Sequence, residues 1–216
     1  MVIIFIGPPG SGKGTQAQVL KDTVLPNLHI LTVSSLLKEK SSDGSVLGNE
    51  IKQKMDNGDL IEDTIVISVL KEKSDSLGDE QILVDGFPRS SVQAESLKEI
   101  FRNKNLNIIN FTVTDEELLA RIKKRSQEES RADDSVFDKR LAIYKKSHNE
   151  IIESLLKDHD VINIDANAQI DSISQKIIEK LGLNWCILYW LLNTFLLFSP
   201  LQEISIGKNS RRKFTS

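Results

Sequence analysis

The chain has 216 residues, enough for one large domain or two small ones. Charged residues make up 27% and hydrophobic residues 39%, which excludes a disordered chain and a membrane protein with several spans. The net charge of -3 argues against a general nucleic-acid binder, and the single cysteine excludes a disulfide framework and a zinc site built from several cysteines.

The first residues predict a strand followed by a phosphate-binding loop. Val2–Ile6 is a continuous apolar run typical of a strand buried on both faces, and the glycine and proline directly after it argue against a signal peptide. The next residues, GPPGSGKGT, have the spacing G-x-x-x-x-G-K, and Ala17, Leu20 and Val24 predict a helix after them. In this context the glycines let backbone N–H groups converge on phosphate oxygens, and Lys13 can reach the β- and γ-phosphates.

The loop departs from the general pattern at Gly14, where Ser or Thr usually follows the lysine. Residues 7–16, GPPGSGKGTQ, resemble instead the form found in adenylate kinases and related nucleoside monophosphate kinases. The resemblance implies that Arg121 and Ala168 contact the donor ATP. It also implies that six loop residues bind ATP: Gly10, Ser11, Gly12, Lys13, Gly14 and Thr15.

A second buried strand is predicted at Gln81–Asp85, and it runs directly into the residues GFPR. A carboxylate at the end of a strand beside a phosphate loop is placed to hold Mg²⁺, directly or through water, so Asp85 is the candidate. Arginine offers a planar fork for a phosphate. DGFPR resembles the family's signature segment, in which the arginine binds the acceptor monophosphate, and Gln93 stands where adenylate kinases read adenine with an amide. The AMP-site residues implied here are Gly86, Phe87, Pro88, Arg89 and Gln93.

The next strand is predicted at Asn107–Val113, and Thr114 with Asp115 predicts the start of a helix. Beyond a short polar loop, apolar residues from Phe137 to Leu155 predict a long helix. The arginines of this region follow the pattern R-x-x-x-R-x5-R-x-D-D-x6-R-L-x-x-Y, which resembles the short lid and flanking helix of the same family. Each of these arginines, taken alone, could equally belong to a solvated helix face.

The resemblance implies that Arg125, Arg131 and Arg140 surround the transferring phosphoryl group, together with Lys13 and Arg89, and that Arg131 and Arg140 also contact AMP. Phosphoryl transfer depends on positioning and electrostatics, and an acceptor that is already ionised needs no general base. We therefore assign no catalytic role to a histidine. Since few residues separate Arg125 from Arg131 and none is a cysteine, the sequence predicts no structural zinc.

The acceptor-binding segment differs most from the family pattern. Residues 32–38, TVSSLLK, align with a segment that usually reads S-T-G-D-x-L-R or S-A-G-D/E-x-L-R. Val33 stands where a threonine faces adenine, and Lys38 where an arginine binds phosphate. Because lysine keeps the charge but loses the bidentate fork, we expect weaker acceptor binding. By the same resemblance Asp59, Leu60 and Ile61 line the acceptor base.

The remaining elements are a short strand at Val161–Ile164 and an amphipathic helix at Ile170–Leu181. Five strands alternating with helices predict an α/β fold: a doubly wound five-stranded parallel sheet of the P-loop NTPase type with helices on both faces. We expect one nucleoside monophosphate kinase domain at 1–183. Its acceptor-binding insertion at about 33–62 and short lid at about 125–131 are expected to close over the carboxyl edge of the sheet.

The resemblance implies an adenylate kinase activity, ATP plus AMP giving two ADP with Mg²⁺, in a cytoplasmic monomer that binds no nucleic acid. Two alternatives stay open: a UMP/CMP kinase of the same family, and a nucleotide-binding regulator whose acceptor site has decayed. Gln93 favours AMP, whereas Val33 removes one adenylate-type feature. The four arginines of the lid region argue against a regulator, because a protein that only binds a nucleotide has little use for them.

Residues 184–216 differ in composition from the rest of the chain. They contain half of the aromatic residues, both tryptophans and the single cysteine, and their apolar run Trp185–Phe198 precedes a basic terminus. A run of this length is short for a bilayer span, which needs about 20 residues. A membrane anchor, a docked or self-associating segment and a segment without a role all stay open, and membrane contact is not the favoured one.

Overall fold

The structure, a computed structural model, describes residues 1–57, 61–102, 104–128 and 137–184. Its five strands form one sheet in which every neighbouring pair is parallel, in the order β2-β3-β1-β4-β5. This confirms the doubly wound five-stranded sheet. The strands are β1 (Val2–Ile6), β2 (His29–Thr32), β3 (Ile82–Asp85), β4 (Leu106–Thr112) and β5 (Val161–Asp165).

The described residues contain eight helices, of which seven connect the strands and the last follows the final strand. The long helix predicted from Phe137 runs to Leu156, and the closing helix begins at Ile170 as expected and ends at Lys180. The helices are α1 (Lys13–Thr23), α2 (Val33–Ser41), α3 (Val46–Asn57), α4 (Asp63–Ser76), α5 (Ser91–Ile100), α6 (Asp115–Glu128), α7 (Phe137–Leu156) and α8 (Ile170–Lys180).

The central strand β1 separates two hydrophobic cores. All five of its residues are buried, as the uninterrupted apolar run predicts. Because side chains alternate along a strand, Val2, Ile4 and Ile6 pack with α2, α4 and α5, whereas Ile3 and Phe5 pack with α1 and α8. Helices therefore cover both faces of the sheet, which confirms the predicted layers.

Hydroxyl caps define where two helices begin. The Thr114 hydroxyl accepts a hydrogen bond of 3.3 Å from the Glu117 N–H, which confirms the predicted start of α6. The Ser90 hydroxyl accepts one of 3.1 Å from the Gln93 N–H at the start of α5. The second cap fixes the first turn of α5 directly after the DGFPR segment.

The division of the chain into domain, insertion and extension stays a prediction. Residues 129–131 of the predicted lid lie outside the described residues, as does the extension beyond Asn184. In the described part of the chain, no helix combines the length and the apolar character needed to cross a membrane.

Candidate functional site

The phosphate-binding loop joins the carboxyl end of β1 to the N-terminus of α1. Gly10 and Gly12 adopt φ values of 84° and 91°, a left-handed conformation that is costly for other residues, and Gly12 stands directly before α1. Ser11 between them is fully buried. The loop therefore has the backbone that a cradle of N–H groups at a helix N-terminus requires.

The Lys13 ammonium lies against its own loop. Its Nζ donates hydrogen bonds of 2.9 Å to the carbonyl oxygens of Gly7 and Pro8, and one of 3.3 Å to the Ser11 hydroxyl. The side chain thus folds back over the loop rather than extending away from it. A positive charge is held where the loop would receive phosphate oxygens.

Asp85 lies beside the start of α1. It is the last residue of β3 and pairs with Phe5 of β1 in the parallel ladder, so strand register brings it to the base of the loop. Its Oδ2 lies 3.9 Å from the position that a Cβ on Gly14 would occupy. An alanine at position 14 would therefore touch this carboxylate, whereas glycine leaves the space open.

The donor set at this point fits Mg²⁺. Asp85 supplies carboxylate oxygen, and Mg²⁺ in phosphate-transfer sites takes one or two carboxylates together with substrate phosphates and water. Among the described residues, no group of three or more His, Cys, Asp or Glu side chains is placed to hold a metal by itself. A single carboxylate next to a phosphate loop is the arrangement expected of a metal that arrives with its nucleotide.

The DGFPR segment turns sharply after β3. Gly86 adopts a φ of 84°, and the Arg89 Nε donates a hydrogen bond of 2.8 Å to the Gly86 carbonyl oxygen. Phe87 and Pro88 are buried and joined by a cis peptide bond, whereas Arg89 is exposed. The segment is anchored in the core by its two apolar residues and presents its guanidinium at the surface of the same sheet edge.

Gln93 is held at both ends of its amide. Its Oε1 accepts a hydrogen bond of 2.8 Å from the Arg89 backbone N–H, and its Nε2 donates one of 2.6 Å to Asp63 Oδ1. Asp63 Oδ2 in turn accepts a bond of 2.7 Å from the Ser90 hydroxyl. The side chain predicted to read the acceptor base is therefore buried within a network that joins α4 to α5.

Arg121 links the phosphate loop to the end of β5. Its guanidinium donates to the Ser11 carbonyl oxygen at 3.3 Å and to the Ala166 carbonyl oxygen at 2.6 Å, while Glu117 accepts from its Nε at 2.7 Å. Ala168, two residues beyond Ala166, is half-buried against the core that includes α1 and α8. The structure thus brings Arg121 against the phosphate loop, close to the segment that contains Ala168.

The residues predicted to bind the acceptor nucleotide differ in how far they are buried. Val33 begins α2 and is buried in the core beneath the acceptor segment, whereas Lys38 on the same helix is exposed. Ile61 is half-buried against that core, and Asp59 and Leu60 lie outside the described residues. The roles assigned to these residues stay predictions.

The lid arginines are described only in part. The backbones of Arg125 and Arg140 belong to α6 and α7, and their side chains lie outside the described residues, as does Arg131. The cluster that these residues are expected to form around the transferring group therefore stays a prediction.

A cavity of about 190 Å³ lies beside the phosphate loop, between β4, α6 and α7. Pro8 forms one wall, and Tyr144 and His148, with ring centroids 4.8 Å apart, form another. Burial raises the pKa of Tyr144 and lowers the pKa of His148, so both side chains are neutral at neutral pH. The His148 Nδ1 is buried without a hydrogen-bond partner among the described residues, which fits a packing role better than a catalytic one.

Three polar residues of the site were missed from the sequence: Gln16, Asp63 and Glu117. Asp63 and Glu117 each lie on a helix at a position where a polar residue is usually solvent-exposed. Gln16 offered one signal, since it falls next to Ala17 within the apolar stripe of α1. The partners of Asp63 are about thirty residues distant in the chain, so local patterns do not reveal them.

Comparison with known proteins finds relatives from one protein family over most of the chain. Residues 5–160 match the model of the family described as adenylate kinase. The chain is 33% identical over 185 residues to an adenylate kinase of Synechococcus sp., covering 83% of this chain and 98% of that protein. It is 33% identical over 183 residues to one from Prochlorococcus marinus, with the same coverages, and 31% identical over 189 residues to one from Mycolicibacterium vanbaalenii, covering 84% and 99%. With the loop, the DGFPR turn and the parallel sheet in place, the chain belongs to the adenylate kinase family.

Proposed function

We propose that this protein transfers the terminal phosphoryl group of ATP to AMP, giving two ADP. Membership of the adenylate kinase family makes it an ATP:AMP phosphotransferase. The observation that carries the proposal is the meeting of Lys13, Asp85 and Arg89 at the carboxyl edge of one parallel sheet. Ligands bind at this edge in doubly wound sheets.

The donor nucleotide binds along the phosphate loop. Backbone N–H groups of Gly10–Thr15 and the positive end of the α1 dipole receive the phosphate oxygens. Lys13 exchanges its contacts with the loop carbonyls for phosphate oxygens, so its charge lies on the β- and γ-phosphates as negative charge shifts during transfer. Arg121, held by the Ser11 and Ala166 carbonyls, lies against the base-binding side next to Ala168.

Mg²⁺ fits this site with Asp85 as its protein ligand, directly or through water. When bound, the ion neutralises charge on the phosphate oxygens of ATP. The chain's own contribution at this point is the open space beside Gly14, which leaves the Asp85 carboxylate accessible from the loop.

The acceptor nucleotide binds on the other side of the edge. Arg89 offers its planar fork to the acceptor phosphate, and Lys38 adds a point charge. Gln93 reads the base, with Gly86–Pro88 shaping the pocket wall and Val33 and Asp59–Ile61 lining the base.

When the lid closes, positive charges from three arginines surround the transferring phosphoryl group: Arg125, Arg131 and Arg140. An arginine that contacts the transferring group is worth about 10³–10⁵ in rate in phosphoryl transfer. Closure also excludes water, which limits wasteful hydrolysis of ATP. The acceptor phosphate is already ionised, so the reaction needs no histidine base.

Further expectations from the sequence belong to this proposal. The protein acts as a monomer in the cytoplasm on ATP and AMP, without nucleic acid and without zinc. The alternatives are a UMP/CMP kinase and a binding regulator, and neither is favoured by the relatives, which are adenylate kinases.

A coupled assay tests the proposal directly. ADP formation is measured with Mg²⁺, ATP and each of AMP, CMP and UMP in turn, using the full chain and a Lys13→Met variant. We expect turnover with AMP far above the other two, and loss of at least about a hundredfold in kcat in the variant. Preference for UMP or CMP would instead identify the alternative kinase. ATP binding without ADP formation from any acceptor would leave only the regulator.

A further inference from the structure

Gln93, the residue predicted to contact the acceptor base, has one favoured orientation of its side-chain amide. Asp63 helps to impose that orientation. A carboxylate can only accept hydrogen bonds and a backbone N–H can only donate them. Asp63 Oδ1 lies 2.6 Å from the Gln93 Nε2, and the Arg89 N–H lies 2.8 Å from the Gln93 Oε1. A flipped amide would place oxygen against carboxylate and N–H₂ against N–H, which is repulsive at both ends.

The network around Asp63 is closed on its other side as well. Its second oxygen accepts a bond of 2.7 Å from the Ser90 hydroxyl, and that hydroxyl accepts the Gln93 backbone N–H at 3.1 Å. Gln93 is only 4% exposed, so water cannot readily replace a lost partner. The carboxylate at the start of α4 is thereby locked against the first turn of α5.

The fixed amide keeps one N–H donor and one carbonyl lone pair for a ligand. Side by side, these two groups match the edge of a base in which an exocyclic amino group stands next to an unprotonated ring nitrogen, as in adenine. A base with an oxo group next to a ring N–H presents the opposite order. Only an amide that is free to flip could accept both.

We propose that Asp63 is a positioning residue which, by fixing the Gln93 amide, makes the acceptor site select 6-amino over 6-oxo purine monophosphates. This inference rests on the proposed function, because Gln93 must face the acceptor base. Asp63 itself touches neither substrate. It acts through the orientation of its neighbour.

The test compares AMP with IMP, which differ at the amino or oxo group and the adjacent ring nitrogen. The ratio of kcat/KM for the two is measured in the full chain and in Asp63→Asn and Asp63→Ala variants. Asparagine keeps the shape but can also donate, so a flipped Gln93 amide is then opposed only by the Arg89 N–H and no longer by a carboxylate. We expect the preference for AMP to fall about tenfold or more, the value of one hydrogen bond to a charged group.

Ser90→Ala is the matched control. It removes a partner of Asp63 and the cap of α5 but leaves the Asp63–Gln93 contact in place, so stability falls while the AMP-to-IMP ratio stays unchanged. Thermal unfolding of every variant separates a folding defect from a change in selectivity. If the alanine variant does not fold, the asparagine variant decides.

The outcomes separate the two proposals. An unchanged ratio in both Asp63 variants overturns the positioning role and leaves a structural one. Equal use of AMP and IMP by the unmodified protein overturns this inference alone. Turnover of neither by the unmodified protein overturns the proposed function and this inference with it.

Discussion

The Ser174 hydroxyl on α8 donates a buried hydrogen bond of 2.7 Å to the amide oxygen of Gln16 on α1. The same amide donates at 3.0 Å to the Ile170 carbonyl oxygen at the first turn of α8. α1 follows the phosphate loop, and α8 follows the segment with Ala166 and Ala168. The Gln16–Ser174 pair therefore joins the two helices that begin after these segments. The contact joins residues 158 positions apart.

Removing the hydroxyl should destabilise the fold. In Ser174→Ala the Gln16 oxygen is left buried without its partner, so we expect the free energy of unfolding to fall by about 1–3 kcal/mol. Urea denaturation measures this value. Ser172→Ala, an exposed position on the same helix, is the control and should change it by less than about 0.5 kcal/mol. Equal effects in the two variants would show that the buried bond contributes nothing.

Arg121→Ala should weaken the donor site selectively. The guanidinium bridges the Ser11 and Ala166 carbonyls, so its loss frees the loop from the end of β5 and also removes the contact to ATP that we propose for it. We expect the KM for ATP to rise about tenfold or more while the KM for AMP changes little. Steady-state kinetics with each substrate varied in turn provides both values.

Arg102→Ala serves as the control for charge, because this exposed arginine lies after α5 and outside the site. A rise in the KM for ATP of the same size in this variant would mean that net charge, not the position of Arg121, governs donor binding.

Lys38→Arg should strengthen acceptor binding. Lys38 is exposed on α2, and a guanidinium there can form two parallel bonds to the acceptor phosphate where an ammonium offers a point charge. We expect the KM for AMP to fall several-fold in steady-state assays. Lys40→Arg on the same helix is the control, since Lys40 is ion-paired with Asp43 and Glu72. No decrease for Lys38→Arg would remove this residue from the acceptor site.

Stability should decline as the pH falls through about 6.5. Burial lowers the pKa of both His148 and His159 from the ordinary value of 6.5, and each has a buried ring nitrogen without a partner among the described residues. The unfolded chain therefore takes up protons at a higher pH than the folded protein. The part of the free energy of unfolding that the neutral histidines contribute is fully present above pH 6.5 and is lost progressively below it.

Urea denaturation from pH 8 to pH 5 measures this decline. Carboxylates with lowered pKa values, such as Asp43 and Asp165, contribute only nearer their ordinary value of 3.8. Replacing both histidines by phenylalanine should flatten the profile in this window. An unchanged slope in the double variant would contradict the assignment.

Local patterns were sufficient for most of the fold. β1 is an uninterrupted apolar run, α8 has regular apolar spacing and α6 begins at a hydroxyl cap, and each of these signals depends only on residues close in the chain. The sequence predicted five strands but gave the positions of only four. The strand without a predicted position is β2, His29–Thr32. It is short and only one of its four residues is fully buried, so neither alternation nor an apolar run distinguishes it.

The sequence by itself determined the family, the phosphate loop and the DGFPR turn, because these depend on glycines and charges at fixed short spacings. It also predicted the parallel sheet, since strands alternated with helices. Only the tertiary structure decided that Gln93 is locked by Asp63 and that Gln16 joins α1 to α8. A buried polar side chain is satisfied by partners from other elements, and which elements meet is set by packing on the sheet rather than by neighbours in the chain.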